Sequence, residues 1–188
     1  MKKIILHLCA DTGSDSYPYS QDPEYEVILV GSKIGVENYH PPENVYGIIA
    51  NPVCTEFSTA RSSGKARNPE EGMFLVEHCL RIIEEAKPTF WVIENPAKGV
   101  LKKYIGEPKY IYEPWWYGSP WTKKTALWGE FNIPDRKYYK WEDVPKLETP
   151  SNFIVDMQFQ QGTTIGNTKL HAIGHDKETG DMIIITNS

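Results

Sequence analysis

Four short apolar runs, each followed by residues typical of turns, constrain the fold of this chain more than any other feature. The runs lie at residues 4–9, 26–30, 45–50 and 90–93. Continuous apolar runs of this length are typical of strands that are covered on both faces, as they are in a parallel sheet. Pairs such as Gly31-Ser32 and Asn51-Pro52 end the runs, as turns between strands and helices require. The pattern therefore predicts an α/β fold.

A long helix is predicted over residues 69–86, between the third and fourth runs. Asn68 is suited to cap this helix, and Pro69 is suited to its first position. Apolar side chains recur at every third or fourth residue in a broad stripe, which favours packing against a sheet. A shorter helix is predicted over residues 97–105, because Gly106 follows.

The second half of the chain predicts mainly strands. They are expected at residues 110–112, 125–128 and 182–185. Residues 176–181 predict a hairpin turn. We therefore predict a Rossmann-like, mainly parallel sheet with helices on both faces and antiparallel strands at its C-terminal end. Residues 1–135 would form the core, and residues 136–188 an extension packed on the same domain.

Charge and cysteine usage limit the functions that fit the chain. The net charge is -5, which is not typical of a protein that binds nucleic acid over its whole surface. Two local basic segments, residues 61–67 and Lys123-Lys124, are suited to contact phosphate. The three cysteines lie far apart and the histidines lack the spacing of a zinc site, so we expect no metal. No apolar run reaches the ~20 residues of a membrane helix, so we expect a cytoplasmic protein with no membrane partner.

Two reactive side chains follow neighbouring strands of the predicted sheet. Cys54 comes shortly after the third run and Glu94 directly after the fourth. A lone cysteine is more often a small buried apolar residue, and a glutamate at a strand end is more often solvated or a helix cap. Because the carboxyl ends of parallel strands meet at one edge of a sheet, however, both residues are expected in one crevice. A thiol and a carboxylate in one cleft favour a nucleophile with a partner that handles protons.

Three segments, in this order along the chain, resemble the short, phage-type branch of the DNA cytosine-5 methyltransferase family. Residues 52–58, Pro-Val-Cys-Thr-Glu-Phe-Ser, are similar to the proline–cysteine loop of that family. Glu94-Asn95-Pro96 is similar to its Glu-Asn motif, and residues 113–128 resemble the block that runs from Pro-Trp to Leu-Trp in the phage branch. The resemblance covers about residues 4–135.

This resemblance implies a class I methyltransferase-like fold that methylates C5 of cytosine in DNA with S-adenosylmethionine as the donor. Cys54 would add to C6 of the ring, and Glu94 would contact the exocyclic amino group and N3. The thiol would need a lowered pKa, and the target base would have to leave the DNA stack. If the protein is phage-encoded, it would act in the cytoplasm of the bacterial host.

The resemblance also implies which residues hold the donor and the DNA. For S-adenosylmethionine they are Cys9, Asp11, Thr12, Gly13, Ser14, Ser16, Asn51 and Pro52. For DNA, bound through local basic loops, they are Ser58, Arg61, Lys123, Lys124 and Thr125.

The chain departs from the family pattern at several positions. His7 stands where the family has an acidic residue, Asp11 where it has a glycine, and Val53 where it has a second proline. The second run ends at Val30-Gly31 without a carboxylate. Two alternatives therefore remain open. One is a pyrimidine C5-modifying enzyme with a nucleotide substrate or a different donor, and the other is a DNA- or protein-binding module that has lost methyl transfer.

Overall fold

The computed structural model describes residues 2–10, 12–53, 69–119, 122–145, 153–158, 164–165, 168–179 and 182–187. The chain divides into two compact units, Met1–Pro145 and Lys146–Ser188. The predicted boundary at residue 135 and the predicted packing of the C-terminal extension stay predictions. No helix in these described ranges is long and apolar enough to cross a membrane.

Six strands of the first unit form one sheet. They are Lys3–Leu8 (β1), Tyr25–Val30 (β2), Val45–Ala50 (β3), Phe90–Pro96 (β4), Tyr110–Tyr112 (β5) and Thr125–Glu130 (β6). Three helices accompany them, Tyr17–Ser20 (α1), Pro69–Ala86 (α2) and Lys102–Ile105 (α3). Two short 3-10 helices span Pro114–Tyr117 and Trp141–Asp143.

The strand order in this sheet is β2-β1-β3-β4-β6-β5. The strands from β2 to β4 pair in parallel. β6 is antiparallel to both β4 and β5, so β5 runs in the same direction as β4. The sheet is therefore mixed, and the predicted α/β class is confirmed.

The core lies between the middle of the sheet and α2. Leu6 and Ile48, on the neighbouring strands β1 and β3, are fully buried. Val76, Cys79 and Ile82 form the buried face of α2, at the spacing of one side of a helix. The bounds predicted for this helix are confirmed. By joining β3 to β4, α2 returns the chain so that both strands run in the same direction.

The helix predicted over residues 97–105 is wrong in its first half, because only Lys102–Ile105 is helical. β4 extends through Pro96 and pairs with β6 along its full end. The backbone N–H of Ala97 then donates to the carbonyl of Lys124 at 3.0 Å, and that of Gly99 donates to Pro96 at 2.9 Å. These bonds hold the chain in a turn, so the helix begins only after Leu101.

The second unit is a small antiparallel sheet. Its strands are Phe153–Gln158 (β7), Thr164–Ile165 (β8), Thr168–Asp176 (β9) and Met182–Asn187 (β10). β9 pairs with β10, β7 and β8. The predicted strand at residues 182–185 lies within β10, and residues 177–179 form a turn, as predicted. β7, β8 and β9 were not expected from the sequence.

Candidate active site

Two segments meet at the carboxyl edge of β3 and β4. The parallel pairing of these strands ends with Ala50 opposite Ile93, so Asn51 and Glu94 are the next residues on adjacent strands. Asn51 Nδ2 donates to Glu94 Oε2 at 3.2 Å, and Asn95 Nδ2 donates to the carbonyl of Pro52 at 3.1 Å. Two direct hydrogen bonds therefore join the Asn51-Pro52 segment to the Glu94-Asn95 segment.

Asn51 is the centre of a larger polar network at this edge. Its Nδ2 also donates to Asp15 Oδ2 at 2.7 Å, while its Oδ1 lies 2.7 Å from His7 Nε2. Its backbone N–H donates to the carbonyl of Leu8 at 3.1 Å. The amide is thereby oriented, with its N–H groups toward the carboxylates of Asp15 and Glu94 and its oxygen toward the imidazole.

His7 supports this network from inside β1. The residue is only 3% exposed, and its Nδ1 lies 2.9 Å from the hydroxyl of Ser16. Burial lowers the pKa of His7, although the hydrogen bond with Asn51 and the charge of Asp15 oppose the shift. The imidazole is therefore neutral at pH 7. With Asn51 oriented as described, Nε2–H donates to Oδ1, and Nδ1 is an acceptor that faces the Ser16 hydroxyl, whose one hydrogen also lies within reach of the carbonyl of Gly13.

Glu94 is held by two donors and lies near a phenol. Its side chain is 19% exposed, and Oε1 lies 3.4 Å from the ammonium of Lys123. Burial, together with the charges of Glu94 and Asp15, raises the pKa of Tyr112 to about 12. The Tyr112 hydroxyl is therefore neutral at pH 7 and close enough to both carboxylates to be influenced by their charge. This edge of the sheet is equipped to orient a carboxylate and to bind a group that presents N–H donors or a positive charge.

The loop after β1 contains most of the residues expected to bind the donor. Cys9 and Gly13 both have left-handed backbones, with φ of 55° and 69°. Cys9 Sγ lies 3.7 Å from Cys79 Sγ on α2, and this contact together with burial raises the pKa of the Cys79 thiol. Thr12 is exposed and Ser14 half-buried. Ser16 is buried, and its hydroxyl also lies 3.1 Å from the carbonyl of Gly13.

The remaining predicted residues divide into two groups. Asp11, Cys54, Ser58 and Arg61 lie outside the described residues. Lys123 and Lys124, which directly precede β6, are exposed. Thr125 is buried, and its hydroxyl donates to the carbonyl of Lys123 at 2.8 Å.

Asp15 and Tyr112 were not predicted as site residues. Asp15 lies between Ser14 and Ser16, two residues that the resemblance assigns to the donor, but it was not itself assigned a role. Tyr112 ends a short strand whose position beside Glu94 depends on the insertion of β6 between β4 and β5. The sequence signal that could have identified Tyr112 as a site residue is its place at a strand end, next to the block at residues 113–128. In the described part of the chain, no cluster of three or more His, Cys, Asp or Glu residues is arranged to hold a metal ion.

The chain is similar over part of its length to a protein of frog virus 3 (isolate Goorha) described as a probable DNA (cytosine-5)-methyltransferase. The two are 32% identical over 93 residues, which is 42% of this chain and 43% of that protein. The chain therefore covers less than half of the length of that relative. No family model matches the chain. The likeness supports a relationship to methyltransferases over this part of the sequence.

Proposed function

We propose that this protein methylates C5 of cytosine in DNA through a covalent bond between Cys54 and C6, with S-adenosylmethionine as the donor. The observation that carries the proposal is the pair of hydrogen bonds that joins Asn51 to Glu94 and Pro52 to Asn95. These bonds hold the carboxylate at the edge where the chain leads into Cys54, two residues after Pro52. The mixed sheet agrees with a class I methyltransferase-like fold, and the viral relative supports the reaction class.

Cys54 and Glu94 would act on opposite parts of the cytosine ring. Addition of the Cys54 thiolate to C6 moves the electron pair of the C5–C6 double bond toward C5. Glu94 would accept an N–H from the exocyclic amino group and hold a proton at N3, which stabilises the charge that develops in the ring. Transfer of the methyl group to C5 would release the donor as its neutral thioether, and loss of the C5 proton to a water molecule would then restore the C5–C6 double bond and expel the thiolate. Asn51 and Lys123 would keep Glu94 oriented during these steps.

The negative charge at the described edge of the sheet fits a methyl donor that is a cation. Asp15 and Glu94 place two carboxylates there, and Asp15 is exposed, so it is suited to bind an ammonium group. The left-handed backbone at Gly13 turns the loop sharply at this edge. β2 ends at the buried Val30, and Gly31 follows without a carboxylate, so ribose hydroxyls would meet backbone there. S-adenosylmethionine, when bound, supplies an electrophilic methyl group.

Detection of the methylated nucleoside tests the proposed reaction. Duplex DNA is incubated with the protein and S-adenosylmethionine, digested to nucleosides and analysed by mass spectrometry for 5-methyl-deoxycytidine. Cys54→Ser and Glu94→Gln are expected to lower the yield by at least ~100-fold. Glu43→Gln, at an exposed glutamate away from the network, is the matched control and should keep the yield. Absence of the product with the wild-type protein would overturn the proposal.

One observation favours a second candidate, a binding module without methyl transfer. The side chains of Ser16 and Asn51, both expected at the donor, have hydrogen bonds within the protein instead. Calorimetric titration with S-adenosylmethionine separates the two candidates. Binding with a dissociation constant below about 1 mM supports the enzyme, and no heat up to that concentration supports the module.

A further inference from the structure

Two thiols from distant parts of the chain meet where β1 ends. Cys9 Sγ lies 3.7 Å from Cys79 Sγ, although the two residues are 70 positions apart. The sulfur atoms are therefore in contact. In a disulfide they lie about 2.05 Å apart, so an approach of less than ~2 Å separates this contact from a covalent bond. None of the roles described above uses Cys79.

The backbone of Cys9 brings its side chain toward α2. Leu8 belongs to the core that includes α2, whereas the preceding residue, His7, bonds to Asn51 in the polar network. The alternation of a strand would place Cys9 on the same face as His7. Its left-handed φ of 55° breaks this alternation, and the side chain packs against the core instead. Because this conformation is strained in a residue other than glycine, the contact with Cys79 is maintained at a cost in backbone energy.

The two thiols differ in their access to dissolved reagents. Cys9 is half-buried at the start of the loop after β1, whereas Cys79 is fully buried on α2. The hydrogen bond with Cys9, together with burial, raises the pKa of Cys79, which therefore keeps its proton. An oxidant thus meets the sulfur of Cys9 first, and the sulfur of Cys79 is already in contact with it.

Both sides of this contact connect to the candidate active site. The carbonyl of Leu8, the residue before Cys9, accepts the backbone N–H of Asn51 at 3.1 Å. The loop after Cys9 carries Asp15, which also bonds to Asn51. On the other side, α2 follows the segment of Cys54 in the chain. A covalent bond between the thiols would therefore join the loop after β1 to the helix that follows the candidate nucleophile.

We propose that Cys9 and Cys79 are a redox-sensitive pair, which hydrogen peroxide converts into an intramolecular disulfide that fixes the loop after β1 to α2. A partly accessible cysteine beside a second thiol that can react with its oxidised form is typical of redox sensors. The site rests on the contact of the two sulfurs and does not depend on the proposed methyl transfer.

One molecule of peroxide oxidises both thiols. The Cys9 thiolate attacks one oxygen and the O–O bond breaks, so that Cys9 becomes a sulfenic acid, and the hydroxide that leaves takes up the proton that Cys9 had released. The sulfur of Cys79 then attacks the sulfur of Cys9, the S–O bond breaks, and the Cys79 proton leaves with the hydroxide as water. Two thiols and one peroxide thus give one disulfide and two waters, and a dithiol reductant reverses the change.

Peptide mapping tests the pair. The full chain is treated with an equimolar amount of hydrogen peroxide, the remaining thiols are blocked with iodoacetamide, and the protein is digested with trypsin without reduction. Lysine or arginine residues separate the three cysteines in the sequence, so each cysteine is on its own peptide. We expect a crosslink between the peptides of Cys9 and Cys79 that disappears after treatment with dithiothreitol. Cys54→Ser, which removes the third thiol, is the matched control and should give the same crosslink.

Two further variants separate the steps of the reaction. Cys9→Ser should give no crosslink. Cys79→Ala should stop the reaction at the sulfenic acid of Cys9, which dimedone labels. No crosslink between Cys9 and Cys79 in the wild type, or a crosslink that requires Cys54, would overturn the proposal. The mapping of the wild type and of Cys54→Ser decides this even if Cys79→Ala does not fold.

Hydrogen exchange measures the effect of the bond on the loop. Amide exchange at residues 12–16 should slow by at least about tenfold in the oxidised protein and recover after reduction. Exchange that is unchanged by a confirmed crosslink would contradict the proposed fixing of the loop. Failure of the methyl-transfer assay would leave both results as they are, because neither uses DNA or a methyl donor.

Discussion

Asn51 is the side chain on which the geometry of the candidate site depends most. One amide contacts the imidazole of His7 and the carboxylates of Asp15 and Glu94. Removing it would leave Nε2 of the buried His7 without a partner and would leave Glu94 held only by Lys123 among the contacts described above. A buried polar group that loses its partner typically costs about 1–3 kcal/mol.

We therefore expect Asn51→Ala to lower the free energy of unfolding by about 1–3 kcal/mol, as measured by urea denaturation. Asn132→Ala, at an exposed asparagine, is the control and should change it by no more than about 0.5 kcal/mol. Equal effects in the two variants would mean that the network adds nothing to stability.

The lowered pKa of His7 should make the stability of the protein depend on pH. Burial lowers its pKa below the ordinary value, so the unfolded chain binds a proton at a higher pH than the folded protein does. The contribution of neutral His7 to the free energy of unfolding is thus fully present above the unfolded pKa of about 6.5. It is lost as the pH falls toward the lower pKa of the folded protein.

The wild type is accordingly expected to lose stability between about pH 7.5 and about pH 5.5, and His7→Gln should lose less. Urea midpoints at the two pH values measure both changes. A pH dependence that is unchanged in His7→Gln would show that another group is responsible.

Among the secondary-structure elements, the sequence predicted those that depend mainly on interactions between residues close together in the chain. β1 to β4 and α2 were predicted because their apolar runs and their 3.6-residue stripe match the surfaces they bury. The start of α3 was not, because the hydrogen bond between Ala97 and Lys124 comes from a distant strand. β7 was missed because its apolar run is only three residues long, β8 because it has only two residues, and β9 because polar residues interrupt its apolar ones.

The pairing of β4 with β6 positions Lys123 beside Glu94 and depends on a close approach at Gly129. This residue has φ of 139°, and an added Cβ atom would lie on the carbonyl oxygen of Trp91 in β4. Gly106 also has a positive φ, of 86°, but nothing lies within 4 Å of its Cβ position. An alanine at Gly106 therefore introduces backbone strain alone, whereas an alanine at Gly129 also introduces a steric clash between β4 and β6.

Gly106→Ala is expected to cost only the strain, about 1–3 kcal/mol. Gly129→Ala should cost clearly more, because the backbone of β4 must move away. Thermal or urea unfolding of both variants measures the difference. Similar losses would indicate that β4 and β6 separate easily.

At the scale of the whole molecule, topology predicted the candidate site better than composition did. The rule that parallel strands share a carboxyl edge predicted that the segment after β3 lies beside Glu94, and two hydrogen bonds join Asn51 and Pro52 to Glu94 and Asn95. The rule does not specify which side chains bond there. The roles of His7, Asp15 and Tyr112 depend on packing distances that no local pattern encodes.

The proposed reaction requires Cys54 to attack a cytosine that Glu94 holds. The most direct test is the intact mass of the protein after incubation with S-adenosylmethionine and DNA containing 5-fluorocytosine, because fluorine blocks the release of the thiolate. We predict a covalent protein–DNA adduct that is absent in Cys54→Ala and strongly reduced in Glu94→Gln. No adduct with the wild type, or an adduct that persists in Cys54→Ala, would show that Cys54 is not the nucleophile.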